Sequence, residues 1–479
     1  MFWEIENIDP NSIALIDDSS ENFLTYGELL NRCNQLCDKL RFKHKKLVFL
    51  FCDNTVESII IYLSILRSGN SVYLANNRMD NSLKKNLINL YKPEIIFSMD
   101  NLNLILEDYI DSESGPDIFY YQSKNIYENK SPHNYLALLL STSGTTGSPK
   151  FVKLSYKNLQ SNAESIAEYL NITEIEKPVT SLPISYSYGL SVINSHLEKG
   201  SKIVCSNHSM VTREFWNTFN NFKCTSFAGV PYNYQILKRL KFSEMDLPSL
   251  KYMTQAGGRL SENLIKYFYE TSLTKGIKFF VMYGQTEATA RISFVPFEIL
   301  NEKINSIGKP ITGGEIKIYS GEKEIFASNV KGELVYSGDN VMMGYASNRK
   351  DISKGDEQKG ILHTGDLGYK DEDGYYYITG RLKRFIKLFG LRVNLDEIEK
   401  MIENKFDVSA ACYGNDDSLK VLLQSEREDI SEIVRKEIIK IYNIHHSVVI
   451  VRCAKSIPHN SLGKKDYKSI EELEYNEYN

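Results

Sequence analysis

The sequence lacks an apolar run that could cross a membrane. Residues 56–66 form an apolar stretch, but it contains polar residues and falls short of the roughly 18 to 20 residues that a bilayer span needs. Residues 1–4 also lack the basic start and the apolar core of a secretion signal. We therefore predict a cytoplasmic protein with no membrane span.

An excess of basic charge and closely paired cysteines are missing as well. Lys and Arg number 57 against 61 Asp and Glu, a net charge of −4, which argues against a general nucleic-acid binder because such proteins carry a basic excess. None of the seven cysteines forms a CxxC pair. Cys33 and Cys37 lie one helical turn apart and are predicted to be small buried thiols rather than metal ligands or a disulfide.

What the sequence does contain is an ordinary globular composition, with 42% hydrophobic and 25% charged residues. Apolar segments alternate with amphipathic ones, which predicts an α/β fold with mostly parallel sheets covered by helices. Strands are expected at residues 47–51, 135–140, 278–283 and 332–336, and helices at residues 56–67 and from about residue 155. The charge-rich residues 348–359 are predicted to form a solvated loop.

The length of 479 residues exceeds what one compact core usually holds, so two or more domains are expected. After the charged connection GRLKR, the chain predicts a helix, two strands, a second helix and a strand, which is enough for a small α+β domain. We therefore divide the chain into an N-terminal domain (1–380), a hinge (381–384) and a C-terminal domain (385–479).

The strongest local signal is the run STSGTTGSPK at residues 141–150. Its glycines allow a tight turn that presents backbone N–H groups to an anion, and its hydroxyls and lysine add donors, so the run predicts polyphosphate binding. The candidate ligands are Thr142, Ser143, Gly144, Thr145, Thr146, Gly147 and Lys150. The lysine does not fit the GxxxxGK[ST] pattern, which argues against an ordinary P-loop NTPase. Taken alone, the run could equally be a flexible surface loop.

A carboxylate in a second segment could hold a metal ion. Glu287 follows Tyr283 and Gly284 at the end of a predicted strand, where it could bind a Mg²⁺ that bridges phosphates. Taken alone, Glu287 could also be an exposed loop residue, and Tyr283 could simply pack in the core.

Several motifs in a fixed order resemble the adenylate-forming superfamily of acyl-CoA synthetases, peptide-synthetase adenylation domains and luciferase. They are LTYGEL (24–29), LRSGNSVYL (66–74), the glycine-rich run, YGQTEA (283–288), LHTGD (362–366), GR (380–381), and Pro458 with Gly463 and Lys464. Phe151 replaces the last glycine of the loop signature, and His459 and Asn460 replace an Arg-Thr pair. The resemblance covers nearly the whole chain and implies a substrate ATP with Mg²⁺, a small carboxylic acid, and a mobile C-terminal domain.

The resemblance also implies where the nucleotide lies. The implied contacts are Gly257, Gly258, Arg259, Tyr283, Gly284, Gln285, Thr286, Asp366, Arg381 and Lys464, together with the glycine-rich run. Tyr283 would stack on adenine, Asp366 would accept hydrogen bonds from the ribose hydroxyls, and Arg381 would reach the ribose or a phosphate. Arg259 departs from the family pattern and could reach a phosphate or the acid, or point into solvent. Glu287 is the implied metal ligand.

Lys464, Lys150 and Glu287 are the implied catalytic residues. Formation of an acyl adenylate brings a carboxylate onto the α-phosphate, and an ammonium between these anions offsets their repulsion. Lys464 would supply that ammonium; without this context, Lys464 and Lys465 would read as a solvated pair. Lys383 stands at the hinge position of the family.

Ser185, Tyr186, Gly229, Val230 and Ala288 are the implied acyl-pocket residues. They lie in segments that resemble the pocket segments of the superfamily, although Tyr186 stands where a histidine is usual. Residues 183–195 contain no aspartate to pair with a substrate ammonium, so an α-amino acid is less expected than another carboxylic acid.

The resemblance implies that the acyl group passes from AMP to a phosphopantetheine thiol, which belongs to CoA or to a separate acyl carrier protein. Two alternatives stay open at this stage. One is an adenylating enzyme that passes the acyl group to an amine or an alcohol, and the other is a nucleotide-binding relative without catalysis.

Overall fold

The structure is a computed structural model that describes residues 1–103, 106–111, 118–125, 131–141, 150–382, 384–388, 391–415, 418–427, 429–442, 445–460 and 463–476. The strands are β1 (Ile13–Asp17), β2 (Phe23–Thr25), β3 (Leu47–Cys52), β4 (Ser71–Asn76), β5 (Ile95–Ser98), β6 (Tyr109–Asp111), β7 (Phe119–Ser123), β8 (Leu136–Ser141), β9 (Phe151–Ser155), β10 (Ile203–Cys205), β11 (Ser226–Gly229), β12 (Tyr252–Gln255), β13 (Lys278–Tyr283), β14 (Ser293–Val295), β15 (Lys309–Pro310), β16 (Gly314–Ser320), β17 (Lys323–Ile325), β18 (Gly332–Gly338), β19 (Gly344–Ala346), β20 (Ile361–Lys370), β21 (Tyr376–Arg381), β22 (Phe385–Leu388), β23 (Leu391–Asn394), β24 (Ala410–Asn415), β25 (Ser418–Gln424) and β26 (Val449–Ala454). The helices are α1 (Tyr26–Lys39), α2 (Val56–Arg67), α3 (Asn81–Tyr91), α4 (Tyr156–Tyr169), α5 (Ser187–Leu197), α6 (Arg213–Asn221), α7 (Pro231–Arg239), α8 (Glu262–Lys275), α9 (Leu395–Phe406), α10 (Asp429–Tyr442) and α11 (Tyr467–Asn476).

The largest sheet has eight strands in the order β19-β9-β8-β4-β3-β5-β7-β6. Its four central strands, β8, β4, β3 and β5, are parallel, and the outer strands are antiparallel. Every residue of β3 is buried, as expected for a parallel strand covered on both faces. The α/β prediction is therefore confirmed, with mixed sheets whose parallel strands lie at the centre.

Two five-stranded sheets carry three of the predicted nucleotide-binding residues, Tyr283, Asp366 and Arg381. In the first, β11, β12 and β13 are parallel, and β13 ends at Tyr283. The second is antiparallel with the order β17-β16-β18-β20-β21, and Asp366 of β20 stands opposite Arg381 of β21. The sheets thus bring three residues from distant parts of the sequence to one place.

The chain from β22 onward builds a hydrophobic core of its own, which β22, β23, α9, α10 and the sheet β24-β25-β26 share. An ionic cluster ties this core to the end of the chain, because Arg384 contacts Glu399 at 2.9 Å and the Tyr467 hydroxyl at 2.7 Å. The domain boundaries at residues 380 and 385 remain a prediction.

The helix expected from about residue 155 is confirmed as α4, which begins at Tyr156. The strand β9, which was not predicted, lies between the glycine-rich run and α4 and pairs antiparallel with β8. One local prediction is wrong. Residues 348–359 are not simply a solvated loop: Arg349–Ser353 form a 3₁₀-helix in which Ile352 is fully buried. Arg349 is buried there as well, in an ion pair with Glu94 at 2.6 Å.

The cysteine prediction agrees with the structure. The Cys33 and Cys37 thiols are buried and free, and they donate to the backbone carbonyls of Ile60 and Ser64. Within the described ranges, no helix is both long and apolar enough to cross a bilayer.

The Arg349–Glu94 pair gives the first testable prediction. In Glu94→Gln, the buried guanidinium loses its counter-charge, so the domain should lose about 3–5 kcal/mol of stability in urea denaturation. Glu107→Gln is the control, because it removes an exposed ion pair with Lys85 and should cost less than about 1 kcal/mol. Equal effects of the two substitutions would contradict the assignment of the Arg349–Glu94 pair as a structural contact.

Candidate active site

Asp366 is the centre of the first group of candidate residues. Its buried carboxylate accepts a hydrogen bond from the Tyr283 hydroxyl at 2.5 Å and another from Arg381 Nε at 3.1 Å. Burial and the Asp366 charge raise the pKa of Tyr283 well above its ordinary value, so this hydroxyl stays a donor. Each carboxylate oxygen has two lone pairs, which leaves acceptor capacity for the ribose hydroxyls.

A second group joins Lys150 to Glu287 through Tyr345. The Lys150 ammonium lies 3.3 Å from the centre of the Tyr345 ring, and the Tyr345 hydroxyl donates to Glu287 Oε1 at 2.9 Å. Burial and the Glu287 charge raise the pKa of Tyr345, so it too remains a donor. Sequence reasoning missed Tyr345, because a tyrosine in a three-residue strand carries no recognisable signal. It reaches this place because β19 pairs with β9 directly after the glycine-rich run.

Lys464 and Lys465 are adjacent but have different surroundings, so the alternative of a solvated pair is wrong. The Lys465 ammonium is bound by Glu399 at 3.0 Å and by Glu403 at 2.8 Å, which anchors the segment to α9. The Lys464 ammonium instead lies 5.8 Å from the centre of the Tyr186 ring. The structure therefore brings a lysine of the C-terminal region to the predicted acyl pocket.

The charges around Lys464 connect it to both groups. Burial lowers the pKa of Lys464 below its ordinary value, and the nearby positive charge of Arg381 acts in the same direction. The negative charges of Glu287 and Asp366 oppose this shift. Lys464 thus lies in the electrostatic range of the carboxylates at the centres of both groups.

Close packing defines one wall of the predicted acyl pocket. Gly257 has φ +84°, and a Cβ there would lie 2.6 Å from the Tyr186 hydroxyl and 3.1 Å from Val230 Cγ1. A Cβ at Gly463 would lie 2.6 Å from Val230 Cγ2. These glycines allow Tyr186 and Val230 to meet the loop that carries Lys464.

The other predicted residues have contacts and burial that do not point to one role. Ser187 on the pocket helix α5 contacts the Thr286 hydroxyl at 3.2 Å, and Gln285 donates to the Tyr283 hydroxyl at 3.4 Å. Ala288 is fully buried in the main core. Gly229 closes β11, while Gly258 is exposed, Ser185 is half-buried and Gly284 passes close to the Ala290 carbonyl. Their assigned roles remain predictions.

Arg259 contacts α9. It lies 3.5 Å from the Asn404 side-chain oxygen and 4.0 Å from Glu403. Its role in nucleotide binding remains a prediction, and the observed contacts join the predicted domains. The predicted ligands Thr142, Ser143, Gly144, Thr145, Thr146 and Gly147, and the hinge residue Lys383, lie outside the described residues.

Glu287 fits a magnesium ion that arrives with a nucleotide. Mg²⁺ commonly takes one or two protein carboxylates and fills its other positions with phosphate oxygens and water. Glu287 is half-buried, and its Oε1 is oriented by Tyr345. No group of three or more potential metal ligands occurs in the described ranges, so a single carboxylate with substrate oxygens is the better match there.

Comparisons with known proteins identify the family. The family model described as AMP-binding enzyme matches residues 2–346. The chain belongs to the AMP-binding enzyme family. An oxalate–CoA ligase of Arabidopsis thaliana is 32% identical over 280 residues, a match that spans 57% of this chain and about half (53%) of that protein. A 2-succinylbenzoate–CoA ligase of Staphylococcus epidermidis is 25% identical, with coverage of 99% of this chain and 98% of the relative.

Solved structures give the same fold. The o-succinylbenzoate CoA synthetase of Bacillus subtilis, solved with its acyl-adenylate intermediate, superposes with a TM-score of 0.77 at 22% identity. The superposition covers 98% of this chain and 97% of that protein. The predictions of an adenylate-forming family member and of its α/β fold are therefore confirmed.

Lys464 gives the second testable prediction. Lys464→Ala should lower the rate of acid adenylation about 100- to 1,000-fold, because it removes an ammonium that meets charge developing in the transition state. The affinity for ATP, measured by calorimetry, should change much less. Lys468→Ala removes an exposed lysine of α11 and serves as the control. An equal loss of ATP affinity and adenylation rate would contradict the assignment.

The pH dependence provides a second readout for Lys464. Because its pKa is lowered, the ammonium is lost at a lower pH than in a free lysine, so kcat/KM for adenylation should fall on the alkaline side. In Lys464→Arg the guanidinium stays charged throughout this range, so the alkaline fall should move to higher pH even where the maximal rate is lower. If the alkaline fall in kcat/KM stays at the same pH in Lys464→Arg, that fall reports the titration of another group.

Tyr345 gives the third testable prediction. Tyr345→Phe keeps the ring near Lys150 but removes the hydrogen bond to Glu287, so adenylation should fall about tenfold and require more Mg²⁺. The measurement is the initial rate as a function of Mg²⁺ concentration. Tyr319→Phe is the control, because it removes another tyrosine hydroxyl that contacts a glutamate, Glu324. An unchanged Mg²⁺ requirement in Tyr345→Phe would show that this hydroxyl does not position Glu287.

Proposed function

We propose that the protein is an ATP-dependent acid–thiol ligase. A carboxylic acid attacks the α-phosphate of ATP, which gives an acyl adenylate and releases pyrophosphate. A thiol then attacks the acyl carbon, which forms a thioester and releases AMP. The relatives named as CoA ligases support CoA as the acceptor. The acids in their names, oxalate and 2-succinylbenzoate, differ so much in size that we propose neither as the substrate of this protein.

The position of Lys464 is the observation that carries the proposal. Its ammonium lies beside the predicted acyl pocket and within the electrostatic influence of Glu287, Asp366 and Arg381. A group at such a place can approach a carboxylate and the α-phosphate together. Lys465 and Gly463 hold it there through the salt bridges to α9 and the contact with Val230.

The remaining residues bind and orient the reactants. Asp366 and Arg381 hold the ribose, and Tyr283 lies against the adenine while its hydroxyl positions Asp366. Lys150 stabilises the phosphates, and the glycine-rich run is proposed to cradle them. A Mg²⁺ bound to Glu287 would neutralise part of the phosphate charge.

The second step is proposed to use the domain division predicted from the sequence. Rotation of residues 385–479 about the hinge at residues 381–384, with Lys383 as its pivot, would remove Lys464 after pyrophosphate leaves and would admit the thiol. A separate carrier protein as the acceptor, and a location in the cytoplasm, remain predictions from the sequence.

Exchange of labelled pyrophosphate into ATP, measured over a panel of carboxylic acids, tests the proposed function and is the fourth prediction. At least one acid should support exchange, and addition of CoA with that acid should produce a thioester and AMP. Exchange without thioester formation from CoA or a carrier protein would favour an amine or alcohol acceptor. No exchange with any acid would overturn the proposal in favour of a non-catalytic binding protein.

A further inference from the structure

Arg291 is a buried charge that the proposed reaction leaves unused. It follows β13 and precedes β14, and only 2% of its surface is exposed. Its guanidinium carbon lies 4.0 Å from the centre of the Tyr188 ring. The hydrogen bonds of the side chain are weak: Nε donates to the Met282 sulfur at 3.4 Å, and Nη1 donates to the Ala290 carbonyl at 3.3 Å.

This guanidinium has no counter-charge among the residues that the structure describes. None of their carboxylates lies within the 4.0 Å of an ion pair, whereas the equally buried Arg349 is held by Glu94. A guanidinium carries five N–H donors, and burial of a charge without a partner is costly. In contrast to Arg349, the Arg291 guanidinium therefore has room for an anion that the described residues do not supply.

The surroundings of Arg291 belong to the predicted acyl pocket. Tyr188 and Tyr186 lie at the start of α5 with ring centres 6.2 Å apart, and the Lys464 ammonium lies 5.8 Å from the centre of the Tyr186 ring. Tyr186, Tyr188 and Met282 share one apolar cluster with Val230. The Arg291 charge acts on both tyrosines, which places it electrostatically in the same pocket. Each of these two adjacent tyrosines thus has a cation beside its ring, Lys464 at Tyr186 and Arg291 at Tyr188.

We propose that Arg291 binds a second carboxylate of the substrate, so that the acid activated by this protein is a dicarboxylic acid. This inference rests on the proposed function. The carboxylate near Lys464 attacks ATP, while the second carboxylate meets the guanidinium and stays ionised. The aromatic and apolar walls favour such a pairing, because a charge-assisted hydrogen bond gains strength where water is excluded. Arg291 is therefore a specificity-determining residue.

The fifth prediction compares substrates in the wild-type enzyme. Dicarboxylic acids from oxalate to adipate are compared in pyrophosphate exchange with their own methyl half-esters, which keep the chain but carry an uncharged ester in place of the second carboxylate. The best diacid should exceed its half-ester by about 30-fold or more in kcat/KM, the value of a charge-assisted hydrogen bond. Monocarboxylic acids of the same length should behave like the half-esters.

The corresponding variants separate a specificity role from a structural one. Arg291→Met should lower kcat/KM for the best diacid about 30-fold or more and leave KM for ATP unchanged, so that the preference over the half-ester disappears. Arg291→Lys should retain part of the preference. The thermal midpoint of Arg291→Met should stay or rise, because an uncompensated buried charge is removed. Arg239→Met, at an exposed arginine of α7, is the control.

Two results would overturn the inference alone: equal use of half-esters and diacids by the wild type, or an equal loss for both substrates in Arg291→Met. If Arg291→Met loses both its stability and all its activity, the substrate panel of the wild-type enzyme decides. A preference for diacids in that panel supports the inference, and no preference assigns Arg291 a structural role. If no acid supports exchange in the wild type, the proposed function itself fails, and this inference falls with it.

Discussion

The repulsion between two anionic reactants is the constraint on which the arrangement depends. A carboxylate and a triphosphate approach each other only where positive charge lies between them. In the proposed reaction that charge comes from Lys464 of the C-terminal region, and the neighbouring residues hold this lysine in place. The Lys465 ammonium is bound by the buried Glu399 and the half-buried Glu403, and Gly463 lets the loop approach Val230. The two adjacent lysines thus have different surroundings: Lys465 anchors the loop, and Lys464 is the one to which the proposed function assigns a part in the reaction.

In the N-terminal part of the chain, strand pairing brings together side chains that are far apart in the sequence. Antiparallel pairing of β20 with β21 sets Asp366 opposite Arg381, and the end of β13 brings Tyr283 to the same carboxylate. The hairpin of β8 and β9 accepts β19 as a further strand, which delivers Tyr345 between Lys150 and Glu287. In each group a tyrosine with a raised pKa donates to the carboxylate and fixes its orientation.

Much of this could be predicted from the sequence, because the strands and motifs involved are local. The bounds of α2 and β13 coincide with the predicted segments, and the motifs contain Glu287, Asp366 and Lys464. The misses depend on long-range partners. Residues 348–359 read as solvated because their charges are visible in the sequence, whereas the distant Glu94 that lets Arg349 be buried is not. Tyr345 and Arg291 were missed for the same reason, since each matters through what the fold places beside it.

Arg349 and Arg291 show why burial alone does not reveal the role of a charged residue. Both guanidinium groups are almost completely buried. Glu94 offsets the desolvation of Arg349, so that pair contributes to holding the 3₁₀-helix at residues 349–353 against the main sheet. Among the described residues, Arg291 meets the Met282 sulfur, the Ala290 carbonyl, the Tyr188 ring and the neutral Tyr169 side chain, and these uncharged groups compensate a charge poorly. An unpaired buried guanidinium lowers the stability of the free protein. The same guanidinium makes binding selective, because a ligand with an anionic group pairs with it and an uncharged ligand leaves it unpaired.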